Sequence, residues 1–380
     1  MERRKFLTTA SLGAAAGAGL LLSGCGKKEE AQTAAPAAPA APAVVTGGET
    51  IRWRLASSFP KSLDTIYGAA ETFSAKVKEL SGGKFEISIH PGGELVPPFG
   101  VLDAVQQGTV ECAHTAPYYF FGKDESFAMD CTIPFGLNSR QTTAWMFQGN
   151  GLKLLRELYA QYNIVNFPMG NTGAQMGGWY RKEIKSLADM NGLKMRIGGF
   201  GGRILAGIGG VPQNIPAGEI YQSLEKGTID ATEWIGPYDD QKLGLNKVAG
   251  YYAYPAWWEG GPQLTLYVSD KAYNSLSAEY KAIIECASAF AHVDMQAKYD
   301  ARNPTALKEL VASGTKLFRL PKDVMDAAFK YSQEHYAELS AKNPNWKKIY
   351  ADYEAFRREQ HQWFRFAEAG FDSYMQAQKL

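Results

Sequence analysis

LEKGTIDATEW, Leu224 to Trp234, is best read against VQQGTVECAHT, Val105 to Thr115. Each stretch ends a helix-like text, IYQSLEKG in one and LDAVQQG in the other. Each then runs Gly-Thr, a β-branched residue, an acid and a small residue. The glycine suits a left-handed helix C-cap, and the residues after it favour a strand. One helix-to-strand unit therefore occurs twice, about 120 residues apart, which predicts two similar α/β lobes. In this register His114 corresponds to Glu233. Ligands of open α/β sheets bind beyond the carboxyl ends of strands, so Glu233 is expected to face a gap between the lobes. The competing reading is a solvated acid at a surface strand end, since Gly236, Pro237 and Tyr238-Asp239-Asp240 stop regular structure just beyond it.

The flanks of this unit extend the pattern. IRWRLASSF and the alternating FEISIHP read as strands, with a helix from Thr65 to Leu80 between them. NIVNFPMG, AQMGGWY and LKMRIGG read as further strands, and GGRILAGIG as a helix. Alternating strands and helices indicate the α/β class. After Ser277 the text turns helical: Ile283, Ala287, Phe290 and Met295 recur near helical spacing to Arg302. Helices from Lys322 to Ala341 and from Trp346 to about Gln378 follow. The last carries Tyr350, Tyr353, Phe356, Trp363, Phe364 and Phe366, a face for its own body or for a partner, since aromatics are enriched in interface cores.

The start of the chain reads as an export signal rather than fold. Arg3 and Arg4 precede Lys5-Phe6-Leu7, and an Ala/Gly/Leu run ends at Leu22-Ser23-Gly24-Cys25. The twin arginine resembles the signal for export in the folded state. Leu-Ser-Gly-Cys resembles a bacterial lipobox, which implies cleavage before Cys25 and lipid on its sulfur; the alternative is an ordinary secretory peptide with a chance cysteine. The Ala/Pro-rich residues 26–49 are a tether, reaching at most ~80 Å at ~3.3–3.6 Å per residue.

The remaining body is longer than one core usually serves. Residues 50–170 are expected to be mainly the first lobe and 171–270 mainly the second, with crossing strands. Residues 271–345 supply connecting and packing helices, and 346–380 a C-terminal helix. Charge is balanced, 40 Lys and Arg against 39 Asp and Glu, which excludes a nucleic-acid surface. Cys112, Cys131 and Cys286 form no CxxC and no metal spacing; whether Cys112 and Cys131 pair is left open.

No GxSxG, HExxH or GxxxxGK[ST] occurs, and the five histidines show no paired ligand spacing. GGFGGR, Gly198 to Arg203, lacks the context of a dinucleotide site and reads as a place where something approaches the backbone closely. What remains is polar residues set in apolar, glycine-rich text: Gln175 in NTGAQMGGWY, Arg196 in LKMRIGG, Glu233-Trp234 in DATEW and Glu259 in YPAWWEGG. A guanidinium in an apolar cleft suits a small carboxylate, because its planar fork meets both oxygens. Carboxylate and amide oxygens suit a hard cation such as sodium or calcium.

Three long motifs carry a resemblance. They are FPMGNTGAQMGGWYRKEIKSLADMNGLKMRIGG, GTIDATEWIGPYDDQKLGLNKVA and YYAYPAWWEGG. Together they resemble the solute-binding subunit of tripartite ATP-independent periplasmic (TRAP) transporters, closest to the branch that binds 2-oxo acids such as pyruvate. The resemblance covers nearly all of Thr50 to Leu380. It implies a two-lobed periplasmic binding-protein fold with a long connecting helix and extra C-terminal helices, and no enzyme activity. It implies that Arg196 binds the ligand carboxylate and that a metal ion, sodium ahead of calcium, bridges protein and ligand. The metal ligands it implies are the Gln175 and Glu233 side chains and the Trp234 carbonyl. Glu259 matches a site position, facing metal or ligand, and Tyr118 or Tyr119 meets the ligand from the other lobe. It also implies TRAP membrane subunits as partners and a homodimer that exchanges its C-terminal helix. Alternatives are a binder of lactate or another organic acid, a ligand sensor or scaffold, and an exported metal-dependent enzyme acting on a 2-oxo acid.

Overall fold

Phe85–His90 and Ile51–Ser57 alternate in polarity, and in the computed structural model, which describes residues 50–378, they pair as parallel strands. The export signal, Cys25 and the 26–49 tether lie outside the described residues. The first sheet takes β1 (Ile51–Ser57), β2 (Phe85–His90), β3 (Cys112–Thr115) and β4 (Ile164–Asn171). The chain then builds a second sheet from β5 (Trp179–Tyr180), β6 (Lys194–Arg196), β7 (Val211–Gln213), β8 (Ala231–Thr232) and β9 (Tyr251–Tyr254). It returns to the first sheet with β10 (Gln263–Ser269) and ends the second with β11 (Lys316–Arg319).

The orders are β2-β1-β3-β10-β4 and β11-β9-β5-β8-β6-β7. In the first sheet β10 lies antiparallel between β3 and β4, with a register shift between Gln263 and Thr265. In the second, β5 runs antiparallel to β8 and β9, while β6 and β8 are parallel. The chain crosses between the sheets three times: after β4, before β10, and through the segment from β10 to β11.

The repeated unit forms as expected. Helices Val101–Gln106 and Ala217–Glu225 lead into β3 and β8. Gly108 (φ 70°) and Gly227 (φ 74°) both turn left-handed just past the helix ends, where a Cβ would be strained. AQMGGWY differs from expectation: only Trp179–Tyr180 pairs as a strand. Gln175 to Gly178 lie outside the strand, although the Gly177 N–H donates to the Ala253 carbonyl at 2.8 Å, and Gly178 (φ 84°) passes so close to the Thr232 carbonyl that a Cβ would meet it at 2.5 Å.

The long helix runs from Ala278 to Ala312, beyond the expected end and through Pro304. Ile283, Ala287 and Met295 are buried as their spacing predicts, but Phe290 faces outward. One apolar cluster, with Trp53, Leu55, Phe73, Val77, Ile284 and Ala287, seals the outer face of the first sheet against this helix and helix Ile66–Leu80. The other runs through the sheets and the C-terminal helices. The aromatic C-terminal segment breaks into helices Pro344–Phe366 and Glu368–Gln376. Its first part packs on the body: Trp346 and Tyr353 are buried, and the Tyr353 hydroxyl accepts the Leu137 N–H at 2.6 Å. The end of the first helix leaves Trp363 and Phe366 exposed, and the second leaves Phe371 and Tyr374 exposed. Cys112 and Cys131 are buried free thiols, so the two do not pair. Among the described residues no helix is long and apolar enough to cross a membrane.

Candidate functional site

Arg196 ends β6 and Glu233 follows β8, its parallel neighbour, so the two residues stand side by side at the carboxyl ends of adjacent strands. The Glu233 N–H donates to the Arg196 carbonyl at 3.2 Å. Both side chains are fully buried and form a direct ion pair. The sequence reading gives Arg196 to a ligand and Glu233 to a cation; their pairing with each other is a finding of the structure. The same Glu233 oxygen accepts the Gly198 N–H at 2.8 Å. Arg196 also donates from Nε to the Ile215 carbonyl (3.0 Å) and from Nη1 to the Glu233 carbonyl (3.2 Å), and its guanidinium lies 5.1 Å from the Trp234 ring. These bonds lock the guanidinium plane and leave Nη2 without a hydrogen-bond partner.

Three buried side-chain oxygens around this pair also lack partners: Gln175 Oε1, Glu233 Oε2 and Glu259 Oε2. Gln175 is oriented by its amide nitrogen, which donates to Thr172 Oγ1 at 3.2 Å, and its backbone N–H reaches the Glu259 carbonyl at 3.4 Å. No hydrogen bond ends on the Trp234 carbonyl among the described residues. A buried polar group without a partner costs about 1–3 kcal/mol, so four such atoms in one place mark a site shaped for something else. Among the described residues no group of three His, Cys, Asp or Glu gathers as a metal cluster, but the set here is half amide and carbonyl oxygen. That donor set fits a hard cation and not zinc.

Electrostatics follow from burial. Burial works against the charged guanidinium, but Glu233 beside it prevails and holds the Arg196 pKa above the usual range. Glu259 is pushed well above the carboxylate range by burial and then by Glu233, against the pull of Arg196. Glu233 is raised as well, by burial, but Arg196 and the Gly198 N–H pull it back, so of the two acids Glu259 lacks a direct cationic partner.

The first sheet contributes walls. Tyr118, on the turn after β3, lays its ring against Gly198 and Gly199, where a Cβ would meet it at 2.9 and 2.5 Å. The glycine run thus serves the close approach expected of it, and Gly199 itself takes φ 51°. Tyr118 and Tyr119 stand edge to face at 5.1 Å, and Phe59 bridges Tyr119 and Trp234 at 6.4 and 6.5 Å. Phe59, Ile66, Ala116, Leu264, Gln175 and Trp234 surround a cavity of about 10 Å³, room for about one water. Sequence reasoning missed Phe59; its only signal was its place at the end of β1. At the rim Asp64, before helix Ile66–Leu80, meets Lys242, the Tyr238 hydroxyl (3.1 Å) and Arg302 (3.5 Å), which ties the two sheets across the cleft.

The residues after Trp234 correct the sequence reading. Tyr238-Asp239-Asp240 was expected at a surface turn, but Asp239 and Asp240 are buried in helix Pro237–Lys242. Asp240 accepts from the Ile235 N–H (3.2 Å), Trp179 Nε1 (2.9 Å) and the Tyr252 hydroxyl (2.7 Å), and Asp239 from the Tyr299 hydroxyl (2.7 Å). Glu233 is therefore not a solvated strand end.

Comparison with known proteins places this geometry. The signature of bacterial extracellular solute-binding protein, family 7, matches residues 56–343. A monocarboxylate 2-oxoacid-binding periplasmic protein of Nostoc is 45% identical over 374 residues, 98% of this chain and 99% of that one. A TRAP transporter solute-binding protein of Bordetella bronchiseptica is 54% identical, with a TM-score of 0.86 over 87% of this chain and 98% of that one. It was solved as a mixed-occupancy dimer with copurified calcium and picolinate. A TRAP solute-binding protein of Pseudoalteromonas atlantica, 37% identical, TM-score 0.83 over 87% of this chain and all of that one, holds sodium and pyruvate.

Proposed function

The chain belongs to family 7 of the bacterial extracellular solute-binding proteins, the solute-binding subunits of TRAP transporters, which are not enzymes, and we propose that it captures a small 2-oxo monocarboxylate, pyruvate-like, together with a hard cation. The observation that carries this reading is the convergence of partnerless atoms: Gln175 Oε1, Glu233 Oε2 and Glu259 Oε2 beside Arg196 Nη2. Arg196 offers its free N–H edge to one carboxylate oxygen. Gln175, Glu233 and the Trp234 carbonyl hold the cation, and Glu259 joins when it loses its proton. The cation supplies a positive centre that accepts an oxygen of the ligand next to its carboxylate. Picolinate and pyruvate, held by the relatives, share this chemistry: a carboxylate with a lone pair on the adjoining carbon's substituent. Tyr118, Tyr119 and Phe59 close the apolar side, which disfavours a second charged group on the ligand.

Two carboxylates favour calcium over sodium if Glu259 is ionised, and sodium if it stays protonated. The test measures pyruvate affinity in metal-stripped buffer, then with sodium or calcium restored, for the parent and for Glu233→Gln. The parent is expected to gain at least tenfold with one of the ions and Glu233→Gln to gain little; equal affinity in all conditions for both proteins rejects the bridging ion. Because protons and cation compete for Glu259, the gain shrinks as pH falls.

Delivery to TRAP membrane subunits is tethered through lipid on Cys25. Cys25→Ala is expected to leave a folded body that no longer sediments with membranes in high salt, which strips merely electrostatic attachment. The exposed Trp363, Phe366, Phe371 and Tyr374 form the face through which two copies associate, in line with the dimer of the Bordetella relative.

A further inference from the structure

Ile235 is the residue through which the cation donors are fixed. Its N–H donates to Asp240 Oδ1 at 3.2 Å, and its carbonyl accepts the Met176 N–H at 3.1 Å. The first bond sets the peptide just after Trp234, and the second sets the peptide just after Gln175. Trp234 lies between the Glu233 N–H, which is held by Arg196, and this Ile235 clamp. Among the described residues nothing donates to its carbonyl, so that carbonyl's direction follows from the bonds on either side.

Asp240 is well anchored for such a task. It is 1% exposed, and its second oxygen accepts both Trp179 Nε1 and the Tyr252 hydroxyl. Those two rings stack at 4.1 Å and 17° on neighbouring strands β5 and β9. The Asp240 N–H also donates to the Gly236 carbonyl at 3.0 Å, which closes the turn. The carboxylate therefore couples the rigid middle of the second sheet to the irregular backbone that carries the donors. An atom that touches the metal but is held about 1 Å off its place binds it much less well, so the groups that hold such atoms tune metal affinity.

We propose that Asp240 is a positioning residue for the cation site, acting through Ile235 on the Trp234 carbonyl and on Gln175; this rests on the cation reading above. An asparagine there keeps the shape but offers one acceptor oxygen where three donors converge. Either Ile235 or the Trp179–Tyr252 pair then faces an amide N–H₂.

The test uses metal-stripped full-length protein and calorimetric titration with calcium alone, followed by pyruvate at saturating calcium. Asp240→Asn is expected to lower calcium affinity at least tenfold, while pyruvate affinity of the calcium-loaded protein stays within threefold of the parent. A general loss of stability does not produce that split. Asp130→Asn removes another buried acid, one whose hydrogen bonds go to Asn166 and Gln263 and to none of the proposed donors, and is expected to keep calcium affinity within twofold. If the parent binds calcium and Asp240→Asn binds it within twofold, the positioning role is overturned while the cation reading stands. If pyruvate binding by the parent ignores both calcium and sodium, the cation reading fails and this role with it. Should Asp240→Asn not fold, Tyr252→Phe keeps the stacked ring and removes one bond to Asp240; a three- to tenfold loss of calcium affinity supports the proposal, and an unchanged affinity overturns it.

Discussion

The two copies of the helix–glycine–strand unit end in different chemistry. The first ends in His114, buried with neither ring nitrogen hydrogen-bonded to a side chain and pushed down to about 3 by burial, so it is neutral. The second ends at Glu233, equally buried and ion-paired with Arg196. One backbone frame thus serves twice, once as an apolar wall and once as a charged floor. At the cleft the segments after β1 and β3 deliver the aromatic rings of Phe59, Tyr118 and Tyr119, while the second sheet and its crossings deliver Arg196, Glu233, Gln175 and Glu259, with the Trp234 ring alone among them facing Phe59. Under the function proposed above, a ligand bound between them would pair its charge with one sheet and its carbon with the other.

The hardest way to break this contrast is to remove Arg196. Arg196→Ala is expected to cost at least ~2–5 kcal/mol of pyruvate binding, the range for truncating one member of a buried charge pair. Arg196→Lys is also expected to bind poorly, since Nε and Nη1 are already committed to Ile215 and Glu233 and a point charge cannot replace the fork. Calorimetry decides; near-normal affinity in the alanine variant removes Arg196 from the site.

A smaller effect sharpens the contrast through stability rather than binding. The first sheet has its own buried acid, Asp130, held by the Gln263 and Asn166 amides at 2.9 and 3.3 Å and raised to about 7 by burial. Unfolded, it titrates near 3.9. The folded state therefore holds the proton more tightly. Its contribution is full below about pH 4 and is lost as pH rises through about 7. His114 has the opposite sign: its contribution is full above about pH 6.5 and is lost as pH falls toward 3. In urea unfolding at pH 5 and pH 8, the stability of the parent relative to Asp130→Asn is expected to fall by a few kcal/mol between the two. A constant difference shows that Asp130 is ionised throughout. Asp239, also near 7, and Asp240, near 6, keep their own slope in both proteins.

The smallest effect tests the wall. Tyr118→Phe keeps the ring on Gly198 and Gly199 and removes only the hydroxyl, so a loss of about 1 kcal/mol or less in pyruvate binding is expected. A loss comparable to Arg196→Ala means that Tyr118 belongs to the polar floor.

Much of this was legible in the residues because local rules governed it. The repeat fixed two strands through glycine caps, and polar residues in apolar text pointed to Gln175, Arg196, Glu233 and Glu259. The Arg196–Glu233 pairing was hidden because it depends on which strands become neighbours, β6 and β8, which no local pattern states. Asp239 and Asp240 were misread because Gly-Pro before two acids is ordinary turn text. Only the arrival of Trp179, Tyr252 and Tyr299 from distant parts of the chain makes burying them affordable. Phe290 was misplaced because helical spacing marks a face without saying how wide the contact is.

The late return of β10 has a consequence for how the molecule is made. β10 is the strand that joins β3 to β4, so the first sheet remains two separate pieces until residues 263–269 emerge. The second sheet gains its outer strand β11 later still. Neither half is a contiguous length of chain, and a nascent chain cut before Gln263 has no complete sheet to dock against. Folding is thereby postponed until almost the whole polypeptide exists, and the loop closures it demands make it slow by the measure of sequence separation. A body that closes late and as one piece offers no finished half for a ligand to engage: the site, built from both sheets, exists only once the whole body does.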